Sequence, residues 1–162
     1  MLSKQMEKAL NDQIAAEFYA SFLYLSMSTH FEAVNLPGFA HWMRQQATEE
    51  YGHAIKIYRY IHERMGRVKI QPVAEVPSEW ASPQAAFEAA QGHEQKVTGM
   101  IAALVGQARE EKDYATESFL KWFVDEQVEE ENQVATIVEQ IKMVKDSVGA
   151  LFMLDRHLGA RE

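Results

Sequence analysis

Cysteine is absent from the 162 residues, which removes disulfides, iron–sulfur clusters, zinc ribbons and thiolate-ligated iron from consideration. Basic side chains are outnumbered: 16 Lys and Arg stand against 24 Asp and Glu, a formal net charge of −8. That balance argues against general nucleic-acid binding, which needs a basic surface, and is compatible with attracting cations. No stretch approaches the roughly 20 apolar residues of a membrane span. The first eight residues, Met1 to Lys8, hold no unbroken apolar run of the secretory kind. A cytoplasmic protein with neither nucleic-acid nor membrane partners is the expectation. Helix breakers are also few, with four prolines and eight glycines in the whole chain. No alternating apolar–polar pattern of useful length argues for strands.

What is present is 47% hydrophobic residues, enough for a core in a single domain spanning residues 1–162. The breakers fall where helices should start and stop. Ser3 is a candidate N-cap for a helix running to His30 or Phe31. Asn35-Leu36-Pro37-Gly38 breaks the pattern, and Pro37 suits the first turn of a second helix that runs to about Met65 and stops at Gly66. From Arg67 to Ala81 the periodicity is lost. Ser82-Pro83 then reads as N-cap and first residue of a third helix to about Glu110. After the polar turn Glu110 to Asp113, a fourth helix runs to about Lys145, and Asp146-Ser147 precedes a short fifth helix through about Leu158. The four long helices would each span roughly 45 Å at 1.5 Å per residue. The connections are short, long and short, so helices one and two pair antiparallel, as do three and four, and the crossover makes two and three parallel. An all-α four-helix bundle with one long crossover (about residues 3–145) and a short C-terminal helix (about 147–158) follows.

Seams traced in steps of three and four residues show where the core turns polar. They read Met6, Leu10, Gln13, Glu17, Ala20, Tyr24, Met27, Phe31 in helix one and Phe39, Met43, Gln46, Glu50, His53, Ile57, Tyr60 in helix two. The third gives Phe87, Ala90, Glu94, Val97, Ile101, Leu104, and the fourth Leu120, Phe123, Gln127, Glu130, Val134, Ile137, Ile141. Each is apolar towards its ends and carries carboxylates in the middle. Glu50 and His53, three residues apart, share one helix face, and Glu-x-x-His projecting into a bundle is a ligand pair of di-iron carboxylate proteins. Such a pair alone is common on solvated faces. Its registry with Glu17, Glu94 and Glu130 at mid-length of three other seams is not. Four buried carboxylates at one level lose hydration and repel one another, at several kcal/mol per ion. Either protonation or a divalent metal pair must compensate.

With those residues the whole chain resembles bacterial non-haem ferritin, in which Glu17, Tyr24, Glu50, His53, Glu94, Gln127 and Glu130 look like the ferroxidase-centre residues. The resemblance implies the ferritin-like fold and a homo-oligomeric 24-subunit hollow shell that oxidises Fe(II) with O2 and stores the ferric product inside. It implies a first iron on Glu17, Glu50 and His53, and a second on Glu50, Glu94 and Glu130, with Glu50 bridging. Where a full di-iron oxygenase site carries a second Glu-x-x-His, this chain has Gln127-x-x-Glu130, which suits a looser second iron whose product must leave. Gln127 is read either as an amide-oxygen contributor or as a core hydrogen-bonding residue. Tyr24 is a core tyrosine on spacing alone; the resemblance gives it a hydrogen bond near the centre and a role as electron donor. Glu49, Glu126 and Glu129, sharing Glu130, would form a third iron site, although the acidic run Asp125 to Glu131 is also what a solvated helix face looks like. In haem-binding relatives a methionine supplies the haem ligand where Gly52 stands, so no haem is expected. His30, His41, His62, His93 and His157 share no ligand spacing and are read as surface or packing residues.

Three other readings compete. A di-iron oxidase or peroxidase of the rubrerythrin kind would keep its metal permanently, and the missing cysteine and missing second Glu-x-x-His oppose it. The small DNA-protecting ferritin relative lacks a fifth helix and gains nothing from acidic charge. A metal-free structural bundle leaves its buried carboxylates without a reason.

Overall fold

The computed structural model describes residues 1–162 and contains five helices and no strand: α1 (Lys4–Ala33), α2 (Pro37–Glu63), α3 (Pro83–Glu110), α4 (Tyr114–Val144) and α5 (Val148–Leu158). The starts are capped by side chains. Ser3, Ser82, Asp113 and Ser147 accept from the backbone N–H of Met6, Ala85, Thr116 and Ala150, satisfying donors that a helix N-terminus leaves free. The ends differ from the sequence expectation. Helix α1 continues past Phe31 to Ala33, and α2 stops at Glu63 rather than Met65. Asn35, Met65 and Lys112 adopt left-handed φ of 62°, 57° and 55°. The N–H groups of Leu36, Gly66 and Asp113 then close on the carbonyls of Phe31, Ile61 and Ala108, the same Schellman closure three times. No glycine occupies the left-handed position. Gly66 sits one residue later because a Cβ there would lie 2.9 Å from Ile61 Cγ2 and 3.1 Å from Glu7 Oε2.

The crossover runs the length of α1. Its first residues bond to the start of that helix, Arg67 N–H to Glu7 and Lys69 N–H to Asn11. Further along, Gln71 donates to Asp12, Ser26 donates to the Pro77 carbonyl, and Trp80 meets His30 edge to face. Helix α3 therefore begins beside the beginning of α2, where Phe31, Phe39, Phe87 and Trp42 pack as one aromatic group. The two helices are parallel, as the connection lengths require.

Every seam residue named above is buried. The apolar ones fall into two clusters, one around Phe31, Phe39, Phe87 and Ile137 and the other around Met6, Ile57, Ile101 and Phe123. The interval between them is polar. Helix α5 closes one end by burying Leu154 and Leu158 in the first cluster, while Val148, Phe152 and Met153 stay exposed. Leu36, at the N-cap of α2, offers no side-chain acceptor. Asp155 of α5 supplies one, accepting from the N–H of Gly38 at 2.8 Å and of Phe39 at 3.0 Å. No helix is long and apolar enough to cross a membrane.

Candidate metal centre

Glu17, Glu50, His53, Glu94, Gln127 and Glu130 project from four helices into the polar interval, and the four glutamates retain only 1% to 2% of their surface. Ligand atoms of Glu17, Glu50 and His53 lie within 4.8 Å of one another, and so do those of His53, Glu126 and Glu130. Two donor groups thus share the imidazole. Oxygen and nitrogen donors of this kind suit first-row divalent ions such as Fe(II). One atom marks the fit directly: Glu17 Oε2 is buried with no hydrogen-bond partner, although buried carboxylate oxygens are almost always satisfied. A bound cation would satisfy it.

Amides hold several of the other carboxylate oxygens. Gln13 donates to Glu17 at 2.8 Å, and Gln46 donates to Glu50 at 2.9 Å and to Glu130 at 2.7 Å. Gln127 donates to Glu94 Oε2 at 3.3 Å, to the Glu94 carbonyl at 3.3 Å and to Thr98 Oγ1 at 3.2 Å. Its nitrogen thus faces Glu94 and Thr98, so Gln127 acts as a core hydrogen-bond donor. The Tyr24 hydroxyl donates to Glu94 Oε1. His53 Nδ1 lies 3.2 Å from Glu50 Oε2, and its Nε2 lies 3.8 Å from Glu126.

The electrostatics follow from crowding like charges in a dry layer. Burial, then the Glu50 charge, raises Glu17 to about 8 and Glu94 to about 7. Burial with the charges of Glu50 and Glu94 raises Glu130 to about 8. Burial alone would lower His53, but its hydrogen bond to Glu50 and the surrounding carboxylates outweigh that and raise it to about 9. Burial and the charges of Glu94 and Glu50 hold the Tyr24 hydroxyl well above its ordinary value. Without a cation, the layer keeps its charge down by retaining protons.

The structure brings Tyr24, Glu17, Glu50, His53, Glu94, Gln127 and Glu130 together. It does not gather Glu49 and Glu129 into a donor group. Glu126 is half-buried beside His53, and burial and the charges of Glu129 and Glu49 raise its carboxyl. Glu49, however, pairs with Arg161 at 2.6 Å and Glu129 accepts from Gln133 at 2.9 Å. Trp122 lies against His53, ring centroids 5.4 Å apart, under the Lys56 ammonium. The other histidines do not enter: His93 packs on Tyr19, His30 on Phe31 and Trp80, and His62 on Tyr58. Three contributors went unassigned in the sequence reading. Gln13 and Gln46 each stand four residues before a site glutamate, a repeated Gln-x-x-x-Glu that was there to be read. Arg161 carried no such signal.

A family model described as a ferritin-like domain matches residues 7–144. A bacterial non-heme ferritin of Bacteroides fragilis (strain 638R) is 45% identical over 161 residues, covering 99% of this chain and 100% of that protein. One of Staphylococcus aureus (strain USA300) is 39% identical over 161 residues, covering 99% and 97%. Among solved structures, an open-pore ferritin from the hyperthermophilic archaeon Archaeoglobus fulgidus is 48% identical, covers 100% of both chains and superposes with a TM-score of 0.99.

Proposed function

The chain belongs to the ferritin family, and from that premise we propose that it stores iron. In this reading it oxidises Fe(II) with O2 at an intrasubunit pair of sites and deposits the ferric product inside a hollow homo-oligomeric shell. The observation that carries the proposal is the buried layer itself: Glu17, Glu50, Glu94 and Glu130 with His53, including a Glu17 oxygen that nothing in the chain satisfies.

Fe(II) and O2 are the substrates. Glu17, Glu50 and His53 hold one Fe(II), and Glu50, Glu94 and Glu130 hold the other, with Glu50 common to both. Each iron gives one electron to O2 as it becomes ferric, so the pair reduces O2 by two electrons to the level of peroxide, which leaves with two protons as hydrogen peroxide. The chain contributes by placing the ions side by side, which replaces an encounter in solution with a fixed geometry. The protons retained by Glu17, Glu94 and Glu130 leave as the metal enters, since only the carboxylate form is a good ligand. Tyr24 donates to Glu94 and so orients that ligand towards the second ion. No second imidazole completes the set, so the second ion is held by oxygen alone and the ferric product is released rather than retained. Glu126 with His53 and Glu130 offers a path outward, and a third iron would draw Glu49 away from Arg161. Cations reach the site under the pull of the −8 charge.

Replacing Glu17 or His53 by alanine tests the assignment. Rapid Fe(II) oxidation under air, followed by absorbance, is expected to slow at least about tenfold, with helical content unchanged. Progress curves indistinguishable from the parent protein would refute it.

A further inference from the structure

The four residues after α5 fold back over α2, and Arg161 among them reaches the residues behind the centre. Arg161 Nη2 donates to Gln46 Oε1 at 3.0 Å and to Glu49 Oε2 at 2.6 Å, and its Nη1 donates to the Trp42 carbonyl at 3.3 Å. The guanidinium lies over the Trp42 ring, 4.5 Å from its centroid. Its backbone is pinned as well, since His41 Nε2 donates to the Arg161 carbonyl at 2.7 Å. This is a fork held at several points, rather than a surface ion pair of negligible consequence.

Gln46 connects this fork to the carboxylates. It is fully buried, and its amide nitrogen donates to Glu50 Oε1 and Glu130 Oε2 at once. A primary amide has one oxygen acceptor and two N–H donors, whereas a guanidinium has donors only. Turning the amide over would set its oxygen against two carboxylates and its NH2 against Arg161. The guanidinium therefore selects the one orientation in which both N–H groups point at the site.

We propose that Arg161 is a positioning residue for the metal centre: by holding Gln46 Oε1 it keeps Gln46 bridging Glu50 and Glu130, and so fixes the spacing of those two carboxylates before iron arrives. The chain terminus thereby tunes a site that none of its own residues enters. This rests on the metal-site reading above, so its test needs a reference variant.

Co(II), an air-stable stand-in for Fe(II), is titrated into the assembled protein and read by calorimetry and by its visible absorption spectrum. Arg161→Ala is expected to bind Co(II) about tenfold more weakly, with a shifted visible band and unchanged helical content, because Asp155 and Leu158 still anchor α5. Arg161→Lys keeps the charge beside Glu49 without the planar fork and is expected to remain weak. In Gln46→Ala the effect of removing Arg161 is expected to vanish, so the double variant binds no more weakly than Gln46→Ala alone. Full rescue by lysine, or losses that multiply, would overturn the proposal by making the effect one of charge. Glu50→Ala is the reference. Loss of Co(II) binding in Glu50→Ala beside unchanged binding and spectrum in Arg161→Ala would defeat the role of Arg161 alone. Survival of Co(II) binding in Glu50→Ala would defeat the centre itself.

Discussion

Glu17, Glu94, Glu130 and His53 all bind protons more tightly in the folded chain than their ordinary values allow, and this sets the sign of two expectations. The three carboxyls rise from 4.5 to about 8, 7 and 8, and the imidazole from 6.5 to about 9. Over that window the folded state holds protons the unfolded state has lost. The contribution of these groups to stability is complete on the acid side of 4.5 for the carboxyls and 6.5 for the imidazole, and is lost as pH rises through the folded values. Metal-free protein is therefore expected to lose thermal stability from about pH 5 to about pH 9. Chelator-treated protein melted across that range checks this, and Glu17→Gln is expected to flatten the slope and raise the midpoint at the alkaline end. A midpoint that climbs with pH would contradict it. The same protons must leave when a divalent ion enters. Anaerobic Fe(II) affinity is accordingly expected to strengthen as pH rises from about 6 to about 8, with proton release visible as calorimetric heats that depend on the buffer.

Helix α5 is attached by backbone proximity as much as by apolar contact. Asp155 caps α2, and at Gly38 a Cβ would fall 1.7 Å from the Asp155 carbonyl oxygen, so no other residue permits this approach. Asp155→Ala is expected to cost about 1–2 kcal/mol through the lost cap, read as a lower thermal midpoint. Gly38→Ala is expected to displace α5 and expose the 145–147 connection to limited proteolysis while far-UV circular dichroism keeps the four long helices. An uncut chain would show that α5 is held some other way. These attachments illustrate what was legible and what was not. The seams on α1 to α4 follow helical period, and all of their residues proved buried. The serine caps and the crossover were visible because Ser and Pro act locally. The ends of α1 and α2 lie two residues or more from where the sequence pattern puts them, because Met65 and Asn35 take the left-handed position that glycine ordinarily marks. The cap from Asp155 joins residues 117 apart in sequence, which no local pattern encodes.

Across the whole chain, the site is where opposing requirements meet. A continuous apolar core would stabilise the bundle more, yet a polar layer interrupts it between two apolar clusters, and burying unpaired charge is costly unless a cation neutralises it. Mid-helix registry made Glu17, Glu50, Glu94 and Glu130 readable together, whereas Arg161 stands beside no motif. Tertiary folding alone brings it to Gln46. Exposed apolar side chains such as Val128, Phe152 and Met153 fit a surface that further copies of the chain cover. The most direct measurement of the proposed function follows iron uptake under air by the metal-free protein together with its particle mass by size-exclusion light scattering. The expected result is a shell of 24 copies that goes on to accumulate many irons per chain after a rapid first phase of two per chain. A small oligomer whose uptake stops at two irons per chain would contradict storage and leave a permanently metallated di-iron oxidase in its place.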